Sequence, residues 1–154
     1  MAQKSIETFI NELPLFKEFS PEEKKILLKT EGAFVKFRPT ETIILEGEVD
    51  DSIFIILKGV VHITKQNLPD IIISQLRAGS LFGEIALISD APRTSNATAF
   101  TEVVLMKITK TMINQLALPL QKKLQDQLIR ILAQRLDEMN EKFVKVINSP
   151  MSSR

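Results

Sequence analysis

Apolar positions along the chain change their spacing twice. Over residues 5–13, Ile6, Phe9, Ile10 and Leu13 recur at intervals of three, one and three, the stripe of a short amphipathic helix. Pro14 ends it. Ser20-Pro21-Glu22-Glu23 then opens a second helix, with a serine placed to cap it, proline at its first position and acids in its first turn. Ile26, Leu27 and Leu28 are its expected buried face and Gly32 its expected stop. From Phe34 the pattern becomes that of strands, with β-rich runs at 34–37, 43–45, 52–57, 60–64 and 71–76. Arg38-Pro39-Thr40, Glu46-Gly47-Glu48, Lys58-Gly59, Asn67-Leu68-Pro69-Asp70 and Ala78-Gly79 punctuate them, and a last run at 97–109 is rich in Thr and Val. Short strands with turn signals every eight to twelve residues predict an antiparallel sandwich or barrel of the jelly-roll type, a double-stranded β-helix.

The helical period returns at Thr109, which is placed to cap a helix over 110–117 before Leu118-Pro119 interrupts it. A second helix is expected from Pro119 to about Asn148, roughly 40 Å long if unbroken. Ile129, Leu132, Leu136, Met139, Phe143 and Val146 are spaced three, four, three, four, three, a coiled-coil seam. Leu124, Leu128 and Ile131 form a second stripe suited to packing on the β-domain. Two stripes on one helix predict a folded domain on one side and a second copy of the chain on the other; the alternative is that both pack within one chain. The fold class is therefore α+β, a single domain over 1–148. Within it, 1–32 is helical, 33–109 is the β-roll and 110–148 holds the C-terminal helices, with 149–154 a polar tail.

One stretch, 79–99, interrupts the strand series and carries the chemistry. Gly83 allows the backbone to approach a ligand, and a short helix starting there would aim unpaired N–H groups at an anion. Arg93 supplies a planar fork for phosphate oxygens. Glu84, acceptor-only when ionised, fits an anion site only if it takes hydrogen bonds from another part of the ligand, as a sugar hydroxyl would give. The alternative is a tight turn with a Glu–Arg surface pair.

Composition narrows the classes. Of 154 residues, 25% are charged and 44% hydrophobic, and the net charge of +1 offers no electrostatic footprint for nucleic acid. Cysteine is absent, so no disulfide framework or thiolate chemistry is available. The N-terminus lacks a continuous apolar stretch, and no run of about eighteen apolar residues occurs. The expectation is a cytoplasmic protein with no membrane or nucleic-acid partner. His62, the single histidine, is expected on an exposed strand face and cannot furnish a zinc site or a serine triad. Glu46, Glu48, Asp50 and Asp51 lack calcium-loop spacing and suggest a solvated hairpin tip. Asp90 and Arg93 suggest a surface pair. No residue set supports an enzyme, a metal site or a cofactor.

The chain resembles the cyclic nucleotide-binding domain family, the module shared by catabolite activator protein, protein kinase A regulatory subunits and cyclic nucleotide-gated channels. Phe82-Gly83-Glu84-Ile85-Ala86-Leu87 followed by Pro92-Arg93-Thr94-Ser95 matches the family's phosphate-binding cassette. Leu45-Glu46-Gly47-Glu48, Asp50-Asp51, Ile53-Phe54-Ile55-Ile56 and Gly59 match its upstream hairpin. The resemblance implies a cyclic-nucleotide sensor, with cAMP the expected ligand and cGMP the alternative, that signals through its last helix to an effector protein the sequence does not identify. It implies that Glu84 accepts the ribose 2′-hydroxyl and that Arg93 pairs with the cyclic phosphate. Gly83, Ile85 and Ala86 would complete the phosphate cradle through their N–H groups, with Thr94 and Ser95 adding hydroxyls. Threonine at position 94 goes, in the family, with acceptance of guanine. Ser95-Asn96-Ala97 departs from the usual pattern. Alignment of the last helix places Met139 and Asn140 near the purine and Arg135 within reach of Glu84. A rival function is a module of the same fold that dimerises or docks a partner without ligand.

Overall fold

A computed structural model describes residues 2–30 and 32–150. Helix α1 (Ala2–Glu12) is followed by a single 3₁₀ turn, Pro14–Phe16, and by α2 (Pro21–Leu28). The expected start of α2 is present as a capping box: Glu23 N–H donates to Ser20 Oγ at 3.2 Å, and Ser20 N–H donates to Glu23 Oε1 at 2.9 Å. The helix ends at Leu28, ahead of Gly32, and Ile26 proves exposed; only Leu27 of its three expected core residues is fully buried.

Eight strands follow: β1 (Phe34–Phe37), β2 (Thr42–Ile44), β3 (Ile53–Lys58), β4 (Val61–Thr64), β5 (Ser74–Leu76), β6 (Leu81–Phe82), β7 (Asn96–Ala99) and β8 (Val103–Ile108). They form two four-stranded antiparallel sheets, β1-β8-β3-β6 and β2-β7-β4-β5, the two layers of a jelly roll. Two expected strands are redrawn. The run at 97–109 is two strands separated by Phe100-Thr101-Glu102, and at 71–76 only Ser74–Leu76 pairs as a strand, with Ile71, Ile72 and Ile73 half exposed in the hairpin.

Residues Ile53 to Leu57 are buried without a break because β3 is covered on both faces. Phe54 and Ile56 point between the sheets, against Val61, Phe82, Ala97, Val103 and Leu105. Ile53, Ile55 and Leu57 point the other way, where Ile10, Phe16, Phe19 and Leu27 pack with Met106 and Ile108. A strand buried on both faces loses its alternation, which is why this one reads as a continuous apolar run.

Helix α3 (Ile85–Ile88) lies between β6 and β7, α4 (Lys110–Gln115) follows β8, and α5 (Leu118–Asn148) closes the described chain. Thr109 caps α4, accepting from Met112 N–H at 3.1 Å. Leu120, Leu124 and Leu128 on α5 enter the helical core, with Ile131 packed against it. Lys123 pairs with Glu23 at 2.8 Å, tying α5 to the start of α2. The apolar seam lies on another face of α5: Ile129, Leu136, Met139, Phe143 and Val146 are exposed, Phe143 to 65%, while Leu132 is half buried. Residues 151–154 of the expected polar tail lie outside the described residues.

Candidate functional site

Gly83 sits at φ +80°, a conformation that glycine adopts freely and other residues rarely. A Cβ there would lie 3.0 Å from Arg93 Nη1 and 3.1 Å from the Ser52 carbonyl oxygen, so a side chain would crowd Arg93 and require its neighbours to give by a few tenths of an ångström. Glu84 precedes α3 without capping it. Its carboxylate instead accepts from Arg135 Nη1 on α5 at 2.6 Å, while Arg135 Nη2 donates to the Leu81 carbonyl. The Glu84–Arg135 bridge expected from the sequence is thus formed.

Arg93 is buried and held from several directions. Nη1 donates to Gly83 O at 2.9 Å, and Nη2 donates to Ser52 O at 2.6 Å and to Asp50 Oδ2 at 3.0 Å. Its backbone is fixed as well, with Arg93 N–H donating to Glu48 O at 2.7 Å and Gly47 N–H donating to Arg93 O at 2.8 Å. The acidic segment at 46–51 is largely exposed, as expected of a hairpin tip, but its backbone and Asp50 also hold the arginine. Burial raises the Asp50 carboxyl pKa, but the hydrogen bonds from Arg93 and Ser52 and the nearby guanidinium charge outweigh it and hold the group below its usual range. The expected Asp90–Arg93 pair is absent: Asp90 pairs with Lys110 at 2.9 Å. Spacing in sequence had joined two residues that α3 and its following loop send in different directions.

These residues wall a cleft of about 610 Å³. Gly83, Glu84, Ile85 and Ala86 form one side, with Arg93, Thr94 and Ser95 beside them. Ile63, Ile73 and Leu76 form an apolar side, and α5 contributes Arg135, Glu138, Met139 and Lys142. Within the cassette, Ala86 N–H donates back to Gly83 O at 3.3 Å, and the Leu87 side chain lies outside the description. Lys65 Nζ donates to the Thr94 carbonyl, fastening the β4–β5 hairpin to the end of the cassette. Positions 135, 138, 139 and 142 follow one helical face; Asn140, about 100° round from Met139, is exposed and stands outside the wall. Glu138 and Lys142, which sequence reasoning passed over, stand inside it, and their spacing from Arg135 was the available signal.

His62 lies elsewhere. It is half buried rather than exposed, stacked on Phe100 with ring centroids 4.2 Å apart, and its Nε2 has no partner among the described residues. No group of metal-ligating residues occurs among the described residues, and no described helix is long and apolar enough to cross a membrane.

The architecture is a jelly roll with a helical insertion between β6 and β7 and a long helix along one wall of the cleft. The model of the cyclic nucleotide-binding domain family matches residues 34–118, more than half of the chain, and the chain belongs to that family. A cAMP-dependent protein kinase regulatory subunit of Neurospora crassa is 31% identical over 120 residues, 77% of this chain and 30% of that protein. A CRP-like cAMP-activated global transcriptional regulator of Mycobacterium tuberculosis is 29% identical over 123 residues, 78% of this chain and 54% of that protein. The chain thus spans about a third to a half of these relatives. The fold is shared with a crystal structure of a cyclic nucleotide-binding domain from Methylobacillus flagellatus, with a TM-score of 0.77 at 23% identity over 96% of this chain and 85% of that one.

Proposed function

We propose that the chain is a cyclic-nucleotide sensor that binds cAMP in preference to cGMP and transmits occupancy through α5. One observation carries this: a single cleft is walled both by the cassette and by α5, and Arg135 bridges the two at Glu84. A ligand seated there touches both walls, so it favours the conformations in which α5 is docked, and that differential affinity is the signal.

In this reading Arg93 binds the cyclic phosphate, with the N–H groups of Gly83, Ile85 and Ala86 and the hydroxyls of Thr94 and Ser95 around it. Glu84 accepts the ribose 2′-hydroxyl. A carboxylate has two acceptor oxygens, and Arg135 takes only Oε1, so ribose and Arg135 can share the group. Ile63, Ile73, Leu76 and Met139 offer apolar surface to the purine, with Arg135 at its edge. The preference for cAMP is supported by the cAMP-linked descriptions of both relatives. The exposed seam of α5, from Ile129 to Val146, supports a homodimer in which the helix that senses ligand also meets its copy.

Thermal unfolding with and without cAMP or cGMP tests the proposal. Ligand at about a hundredfold excess over its dissociation constant adds about 2.7 kcal/mol, or roughly 5–10 °C at this size. The expected order is a larger shift with cAMP. No shift with either nucleotide leaves the ligand-free dimerisation or docking module as the function of the fold.

A further inference from the structure

The β4–β5 hairpin supplies the apolar side of the cleft through Ile63, Ile73 and Leu76. Its outer arm is poorly covered, since every residue of 66–73 is exposed. Burial therefore does little to fix where the arm sits, and polar contacts at its root take over. Glu46 Oε2 accepts from the Gln66 N–H, on the first residue of the arm, at 2.7 Å. Glu46 is itself anchored, because its own N–H donates to Asn96 Oδ1 at 2.7 Å. Asn96 opens β7 directly after the cassette and pairs there with Thr64 at the end of β4. Inside the arm, Leu68 N–H donates to Lys65 O at 3.0 Å, Ile71 N–H to Leu68 O at 3.1 Å and Ile73 N–H to Ile63 O at 2.8 Å. An arm bonded along its length in this way follows its root.

Resting on the ligand reading above, we propose that Glu46 is a positioning residue for the purine: by pinning the Gln66 N–H it sets where the arm places Ile73 in the cleft wall. Glu46 is not among the residues that wall the cleft, so it acts through the hairpin. The phosphate and ribose contacts of that reading lie on 83–95. Releasing the arm should therefore reduce what the base adds to affinity and leave what the phosphate and sugar add. Sequence reasoning took Glu46 for one more acid of a solvated tip; its two bonds, to Asn96 and Gln66, span 50 and 20 positions.

Two measurements test this on the intact chain, on Glu46→Ala and on Glu46→Gln. NMR titration gives the dissociation constants of cAMP and of 1-deoxyribofuranose 3′,5′-cyclic phosphate, which keeps the phosphate and the 2′-hydroxyl but has no base. Their ratio is what the base adds. In Glu46→Ala that ratio should fall about threefold or more, within the range expected for one lost hydrogen bond, while the base-free ligand keeps its affinity. Glu46→Gln retains a carbonyl acceptor for the Gln66 N–H and should hold the wild-type ratio. Without ligand, amide exchange at Gln66, Leu68, Ile71 and Ile73 should quicken several-fold in Glu46→Ala and not in Glu46→Gln. Equal losses for both ligands in Glu46→Ala overturn the proposal, because they mark a general loosening of the fold. Unchanged exchange in the alanine variant overturns it too, as does a glutamine variant that behaves like alanine. A wild type that binds neither ligand removes the ligand reading and the purine role with it, while the exchange measurement still decides whether Glu46 pins the arm.

Discussion

Arg135 Nη1 donates to Glu84 Oε1 across 2.6 Å, joining side chains 51 positions apart. Glu84 lies just before α3 and Arg135 on α5, so this half-buried ion pair is a direct polar tie between the cleft and the long helix. If ligand acts by adding to that tie, cAMP should slow amide exchange along α5 near residues 128–139 by about tenfold, equivalent to roughly 1.4 kcal/mol of local stability. Arg135→Ala should still bind nucleotide through Arg93 yet lose most of that added protection. Equal protection in wild type and variant, read by hydrogen-exchange mass spectrometry, would show that coupling runs by another route.

Arg93→Ala should cost most of the affinity. A hydrogen bond to a charged group contributes about 1.5–3 kcal/mol, so the dissociation constant should rise roughly 10- to 150-fold. Arg93→Lys should recover little, because one ammonium cannot both satisfy Gly83 O, Ser52 O and Asp50 and reach a phosphate. Titration calorimetry of the three proteins decides it; wild-type affinity in the alanine variant would place the anion elsewhere.

Two glycines offer an internal comparison. Gly83 and Gly79 both have positive φ, +80° and +92°, but a Cβ at Gly79 meets nothing within 4 Å whereas one at Gly83 meets Arg93 Nη1 and Ser52 O. Gly79→Ala should therefore cost only backbone strain, about 1 kcal/mol. Gly83→Ala should cost about 1–3 kcal/mol and lower nucleotide affinity as well, by moving Arg93. Urea unfolding compares the two directly, and equal costs would mean that the crowding at Gly83 relaxes without consequence.

Much of this fold was legible because its signals are local. The Ser20–Glu23 capping box, the Thr109 cap and the three-four spacing of α5 each depend on neighbours a few residues away, and each is present. The cassette was legible for the same reason, since Gly83, Glu84, Arg93 and their neighbours lie within a short stretch. What escaped was set by distant contacts. Asp50 looked like one of four solvated acids, and only the approach of Arg93, 43 positions away, gives it a charged partner. Ile26 fits the apolar stripe of α2 but stays half exposed, and Ile71, Ile72 and Ile73 read as a strand although pairing begins at Ser74. Asn140 followed from alignment, whereas helical phase puts Glu138 and Lys142 in the cleft wall.

The α5 seam gives a prediction independent of ligand. Leu136 is 58% exposed and lies at the middle of the row running from Ile129 to Val146, so a glutamate there disturbs little packing within one chain. A charge at a coiled-coil core position, by contrast, is buried without a partner in the pair. Leu136→Glu should convert a sedimenting dimer to a monomer while leaving the thermal midpoint of the monomer near its wild-type value. An unchanged mass at the same concentration would leave the seam for some other partner.

Glu23 on α2 pairs with Lys123 on α5 at 2.8 Å, and this contact gives a pH prediction. The Lys123 hydrogen bond, reinforced by the backbone bond from Ser20, holds its carboxyl below the ordinary range. A carboxyl whose pKa is depressed by folding stabilises the fold above its unfolded pKa and loses that contribution as the pH falls through its folded one. Glu23→Gln keeps an acceptor for the Ser20 N–H, so the capping box survives, but removes the charge that Lys123 meets. The variant should melt below wild type at pH 7, and the gap should close as the pH falls below the ordinary glutamate range and through the lowered folded pKa. Asp50 titrates in both proteins and cancels in the difference. Melting curves that stay parallel down to about pH 3 would show that the Lys123 pair contributes nothing measurable and that α5 is held to α2 by its leucines alone.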